Sequence, residues 1–242
     1  MRIRPALALW LLLAMPAWAN DDADAYQRAA NPEWRSGMRS AHVLGEIGQG
    51  SVNGTTVYGG HLAGWSDWAH AYLLAADLGG VWLAPALLSG QHGNFLAPLF
   101  EGRAGYNLVG PHGDGLSLEP LWQLDERTVI TLGVGGGVGV ASTTDGLSAI
   151  GLTAGPLIGA RFRILPQHNL TAYGHYVYGL NRAADTYEGG LHASFGTSVV
   201  EAGYRGGQLA AYSQGTSSGT RTLNPPTPVG YGAAFVRFSV GY

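Results

Sequence analysis

From Thr128 to Leu165 apolar and small or polar residues alternate along the chain. Ile130, Leu132, Val134, Val138 and Val140 interleave with Thr131, Gly133, Gly135, Gly137 and Gly139. Thr143–Gly146 reads as a turn, and alternation resumes after it. Ile150, Leu152, Ala154, Ile158, Phe162 and Ile164 then face Gly151, Thr153, Gly155, Gly159, Arg161 and Arg163. Period two is the signature of a β-strand with two unlike faces. The pair predicts a long hairpin with one oily face. Its other face is rich in glycine, a poor covering for a solvated sheet surface but suited to a crowded interior.

The same alternation extends in both directions. Phe100, Ala104, Tyr106 and Leu108 oppose Glu101, Arg103, Gly105 and Asn107. Leu116, Leu118 and Trp122 oppose Ser117, Glu119 and Gln123, and Ala172, Tyr176 and Tyr178 oppose Thr171, Tyr173 and His175. Tyr187, Leu191, Ala193 and Phe195 oppose Glu188, Gly190, His192 and Ser194. Val200, Ala202 and Tyr204 oppose Glu201, Gly203 and Arg205, with a bulge expected at Gly206–Gly207. Upstream, Val43 and Ile47 oppose His42, Leu44 and Glu46, whereas the segments 54–64, 67–78 and 80–88 carry apolar residues on both faces.

The expected fold is all-β: a transmembrane, antiparallel, up-and-down β-barrel with its oily rows facing acyl chains and its charged rows facing the lumen. About twelve strands are counted, or ten if 79–98 is a loop crossing rather than a strand pair; both counts suit an even-numbered barrel of about 8–26 strands. With the C-terminus set on the periplasmic side, turns on that side are expected at Gly64–Asp67, Ser89–Asn94, Asp125–Arg127, Pro166–Asn169 and Phe195–Ser198. External loops are expected at Gly48–Gly54, Asp77–Gly80, Gly110–Gly115, Thr143–Gly146, Asn181–Asp185 and Ser213–Pro228. Aromatic residues then form two belts, with Trp65, Trp68, Trp122 and Tyr242 at the inner edge. Trp82, Tyr106, Tyr178, Tyr187, Tyr212 and Tyr231 form the outer one.

The last strand sharpens this expectation. Ala234, Val236, Phe238, Val240 and Tyr242 alternate up to the final residue, which is aromatic. That stretch resembles the C-terminal signal strand of bacterial outer-membrane β-barrels. The resemblance implies that Phe238, Val240 and Tyr242 are read by the barrel-assembly machinery of a Gram-negative cell.

The N-terminus agrees. Arg2 and Arg4 precede the apolar run Leu7–Met15, which is too short to span a bilayer, and Ala17-Trp18-Ala19 supplies an A-x-A cleavage site. Three parts follow: a signal peptide over 1–19, a polar periplasmic lead or plug over 20–38, and the barrel over 39–242. The expected location is the outer membrane, after cleavage near Ala19, with membrane lipid and lipopolysaccharide as surroundings.

Composition narrows the partners. Of 242 residues only 12% are charged, 39 are glycine and none is cysteine, and the net charge is −3. Low charge and abundant glycine fit a membrane barrel, and no basic field invites nucleic acid. Disulfides and thiolate metal sites are excluded. The histidines show no HxH or HExxH spacing, so no metal or other cofactor is expected. The glycine run Gly133–Gly139 lacks phosphate-loop spacing and is read as strand.

Candidate lumen-lining groups are Glu101, Arg103, Glu119, Arg161, Arg163, His175, Glu188, Glu201, Arg205 and Arg237. Charges of both signs on adjacent strands suggest ion pairs that fill a narrow lumen, or a small pore lined by them. The expected function is a narrow pore or a structural or export component of the envelope, with export partners, and the question of enzyme activity stays open. The alternative is a lipid-modifying hydrolase. His192 and Ser194 resemble the His-x-Ser pair of outer-membrane phospholipase A and the lipid A 3-O-deacylases, in which histidine is the base and serine the nucleophile. In those families asparagine follows the serine; here Phe195 stands there.

Overall fold

The computed structural model describes residues 40–68, 72–91, 93–110, 120–123, 128–142, 148–165, 170–180, 185–195, 198–212, 214–217, 220–223, 225 and 227–241. The expected signal peptide, the lead over 20–38, Glu119 and Tyr242 lie outside them. In chain order the elements are β1 (Ser40–Val52), β2 (Thr55–Trp68), β3 (Tyr72–Leu78), β4 (Val81–Leu83), α1 (Pro85–Leu88), β5 (Phe95–Gly110) and β6 (Trp122–Gln123). They continue as β7 (Thr128–Ser142), β8 (Ser148–Leu165), β9 (Leu170–Val177), β10 (Thr186–Phe195), β11 (Ser198–Tyr212), β12 (Gln214–Ser217), β13 (Thr220–Leu223) and β14 (Thr227–Gly241).

Twelve strands belong to one sheet, and ten of them close into a ring in the order β1, β14, β11, β10, β9, β8, β7, β5, β3, β2. The first and last strands form the seam, from His42 opposite Gly241 to Val52 opposite Tyr231. The fold is therefore an all-β barrel, and both strand counts have a physical meaning. The sheet holds twelve strands, but β4 and β6 do not add separate walls. β4 pairs with β2 and β5 in the register already set by β3, so β3 and β4 are one wall strand interrupted at Gly79–Gly80. Gly79 has φ +70°, a conformation that glycine adopts without penalty. β6 is a two-residue parallel pairing against Val109–Gly110.

This corrects several expected turns. Gly64–Asp67 lies inside β2, and Asp77–Gly80 is the end and break of a wall strand rather than a loop. Only Asn53 and Gly54 turn the chain between β1 and β2, both at positive φ, as a two-residue type I′ hairpin requires. Ser89–Asn94 sits at the opposite end from the one expected: the Asn94 amide donates to the carbonyl of Val52, beside that hairpin. α1 precedes it, with Pro85 at its first turn. Gly110, expected at the outer edge, ends β5 at the same end as Ser40 and Gly241, because Tyr106 pairs with Tyr72. Gly206–Gly207 is not a bulge against β14, since that register runs through unshifted.

The barrel tapers. At the end holding Ser40 and Gly241, the terminal end, ten strands form the wall. Toward the other end, the loop end, β9 and β10 stop. Asp185 accepts hydrogen bonds there from the Gly179 N–H at 2.8 Å and the Tyr176 hydroxyl at 2.5 Å. β11 then pairs directly with β8, Ala210 opposite Leu152 and Tyr212 opposite Ile150. Eight strands remain: β1, β14, β11, β8, β7, β5, β4 and β2.

The outer surface is oily. Ile47, Leu62, Val134, Ile150, Ile158, Phe162, Val236, Phe238 and Val240 are all exposed, with Leu62 at 93%. Between them in sequence stand buried polar groups, among them Glu46, His61, Thr131, Arg161 and Arg237. A water-soluble barrel has the opposite arrangement.

Candidate functional site

The interior has two layers, each set by strand parity. At the loop end, Val52, Val57, Trp82, Ala84, Leu96, Ala141, Leu209, Val229 and Ala233 pack into one buried cluster, with Tyr231 against it. An eight-stranded wall encloses just enough space for side chains to fill. The Asn94 amide, 2.6 Å from the Val52 carbonyl and 3.0 Å from the Thr55 hydroxyl, ties the 84–94 connection over this plug. Trp82 and Tyr231, expected in an outer aromatic belt, instead face the interior. The belt positions of Tyr178 and Tyr187 are exposed, Tyr187 stacking on Tyr204 with ring centres 6.2 Å apart.

Toward the terminal end lies a charged layer. Direct cross-strand pairing places His61, Glu46, Arg237, Glu201 and His192 side by side on β2, β1, β14, β11 and β10. Each acid in this rung stands between two nitrogen bases. Arg237 is its hub: it donates to Glu46 at 2.7 Å, Glu188 at 2.9 Å and Glu201 at 2.9 Å, and its guanidinium lies 4.6 Å from the Phe235 ring centre. A second rung pairs Glu188 with Arg205 and His175. Arg205 reaches across the lumen to Glu101 at 2.6 Å and Glu46 at 3.3 Å. Arg103 donates to Asp77 at 3.2 Å and contacts the imidazole of His175. Tyr173 donates to Glu188 at 3.1 Å. Charges buried this deeply persist only when paired and hydrogen-bonded, and this mesh does both.

The structure therefore gathers Glu101, Arg103, His175, Glu188, Glu201, Arg205 and Arg237 into one network. Arg161 is buried on β8, and Arg163 is half-buried nearer the terminal end of that strand. Glu46, His61 and Asp77 belong to the network, although sequence reasoning did not select them. Glu46 stood on the right face in the alternation. His61 and Asp77 were hidden because β2 and β3–β4 switch inward parity near 62–63 and 78–80. On β2 the buried positions change from Val57 and His61 to Gly64. The register shift between Leu44 and Glu46 marks the same irregularity.

Two small cavities flank the mesh. One of about 30 Å³ is lined by Glu101, Arg103, His175, Glu188, Arg205 and Tyr231, among others. Another of about 50 Å³ lies among Leu44, Asp77, Arg103, Tyr173, Glu201, Arg237 and Ser239. Spaces of this size hold one or a few waters, not an organic solute.

The His192 imidazole is buried in the interior, 3.9 Å from Glu201, with its ring 6.1 Å from that of Tyr173. It faces away from the oily surface along which an acyl chain would lie. Ser194 pairs with Val199 at the terminal end of β10.

No family model matches the chain. No curated protein matches it either. Among solved structures it is similar to one described as a CymD monoaromatic hydrocarbon channel, at 9% identity and a TM-score of 0.30, over 94% of this chain and 95% of that one. A superposition that loose assigns neither a pore nor a substrate to this chain.

Proposed function

We propose that the chain is an integral β-barrel of a Gram-negative outer membrane that serves the envelope as a closed, structural barrel rather than an open pore. Membrane insertion is supported by the inverted surface: Ile47, Val134, Ile158 and Phe238 outside, Glu46, Arg205 and Arg237 inside. Closure is carried by one observation, the narrowing from ten strands to eight around a solid apolar plug. Phe238 and Val240, exposed on the last strand, suit recognition by the assembly machinery.

The decisive experiment is conductance of the refolded protein in a planar bilayer. The expected result is no steady current in a protein that migrates as a folded, heat-modifiable species. A stable ohmic channel would overturn the closed reading. A protein recovered only from the soluble periplasm would overturn the membrane reading.

A narrow pore is the second reading, favoured by the break at Gly79–Gly80. Trp82 stands on the three-residue β4 just beyond it, so the largest plug residue rides on the shortest wall segment. Hydrolysis by His192 and Ser194 is not adopted, because the imidazole is sealed from the lipid face.

A further inference from the structure

We propose that His61, Asp77 and Glu101 form a binding site for a divalent first-row transition-metal cation inside the barrel. One ligand atom from each lies within 4.8 Å of the others, and His61 and Asp77 are both buried. The residues come from β2, β3 and β5, the neighbouring walls around the broken strand. Asp77 and Glu101 are directly paired across β3 and β5. Like charges at directly opposed positions repel, and a cation between them turns that repulsion into attraction.

The surroundings are those of a ligand set. The His61 Nδ1 lies 3.4 Å from Glu46, a carboxylate that orients the ring, and Nε2, now 3.3 Å from the Arg205 guanidinium, becomes the donor once that group turns away. Glycines open the space. A β-carbon on Gly80 would stand 3.1 Å from His61 Nε2, and one on Gly64 would stand 2.9 Å from Asp77 Oδ1. Asp77 borders one water-sized cavity and Glu101 the other, which leaves room for water to complete the coordination. Metal–ligand bonds of about 2.0–2.2 Å let an ion bridge atoms up to about 4.4 Å apart, so small side-chain adjustments close the site. One imidazole and two carboxylates suit Zn²⁺ or Mn²⁺ better than a soft ion.

Arg205 is the competitor. Its guanidinium lies 2.6 Å from Glu101 and 3.2 and 3.3 Å from the two ring nitrogens of His61. An arriving cation takes over its role as counter-charge and turns it toward Glu188, its cross-strand partner.

The test uses the full mature chain refolded in detergent, stripped with chelator, then titrated with Zn²⁺ or Mn²⁺ alone. One ion per chain should be retained after desalting, with a rise in the temperature at which the folded gel band is lost. Mn²⁺ electron paramagnetic resonance on the unmutated protein gives a readout that does not depend on any variant folding. It should show an immobilised ion. His61→Ala and Asp77→Asn should each lower affinity at least tenfold, Glu188→Gln should retain the ion, and Arg205→Gln should bind it more tightly. Absence of a retained ion and of any shift in melting would overturn the site, leaving Arg103 and Arg205 as its counter-charges. Equal loss in Glu188→Gln and Asp77→Asn would also overturn it, as attraction by a general negative field. Neither outcome depends on whether the barrel conducts.

Discussion

The two halves of the lumen solve the same problem by different means. The loop-end half narrows to eight strands and fills itself with Trp82, Leu96, Leu209 and their neighbours. The terminal half keeps ten strands, and its wider interior is spanned by the long side chains of Arg103, Arg205 and Arg237 meeting carboxylates from facing walls. Circumference decides the chemistry. A narrow ring can be filled by packing alone, whereas a wider one leaves polar positions that must find partners across the gap. The plug is held by local packing; the mesh is shared, so its members are coupled.

That difference can be broken most severely at Arg237. Arg237→Ala takes the shared counter-charge from Glu46, Glu188 and Glu201 in a buried space, leaving Glu46 with Arg205 and Glu188 with Tyr173. Removing one partner of a buried pair typically costs about 3–5 kcal/mol, and the shared hub puts this variant at or above that range. The expected outcome is failure to refold, or a large drop in the temperature of the heat-modifiable gel shift. A variant as stable as the parent would show that the mesh contributes little.

Trp82→Ala attacks the other half. A cavity left by a buried tryptophan costs about 3–5 kcal/mol, but the surrounding ion pairs stay intact, so the barrel should still assemble. In the same variant, single-channel recording distinguishes closed barrel from plugged pore. Appearance of discrete openings would favour the pore reading, and continued silence would place a second seal at the charged mesh.

Outside the barrel, Val134→Arg, at the middle of β7, should cost about 2–4 kcal/mol if that surface meets the bilayer core. Denaturant titration in lipid vesicles measures it. A cost near zero would show that this face does not meet acyl chains and would overturn the membrane reading.

The smallest expected effect is at the hairpin joining the seam strand β1 to β2. Gly54→Ala places a β-carbon at φ +80°, worth about 1 kcal/mol and no change in either half of the lumen. Thermal melting should shift slightly, and conductance should not change.

Much of this arrangement was legible in the chain. Alternation in Thr128–Leu165 and Ala234–Val240 named the wall and its oily face, because side-chain period in a strand is a local property. It also placed Glu101, Arg103, Glu188, Arg205 and Arg237 on the opposite row. It failed across 54–88, where inward parity switches on β2 and along β3–β4. There His61 and Asp77 lost their pattern, and Trp82 was read as a surface aromatic. A shift of one position swaps faces, so a single irregularity misleads every residue beyond it.

By itself, then, the sequence determined that strands alternate between oil and charge, and hence that the charged rows turn inward when the sheet closes. Which charges touch was decided only by the tertiary structure. Arg237 meets Glu46 because the last strand pairs with the first, and Arg205 meets Glu101 because the ring brings opposite walls within reach of one side chain. The taper from ten strands to eight was likewise invisible, since it depends on β11 leaving β10 for β8, a choice of partner that no single strand encodes.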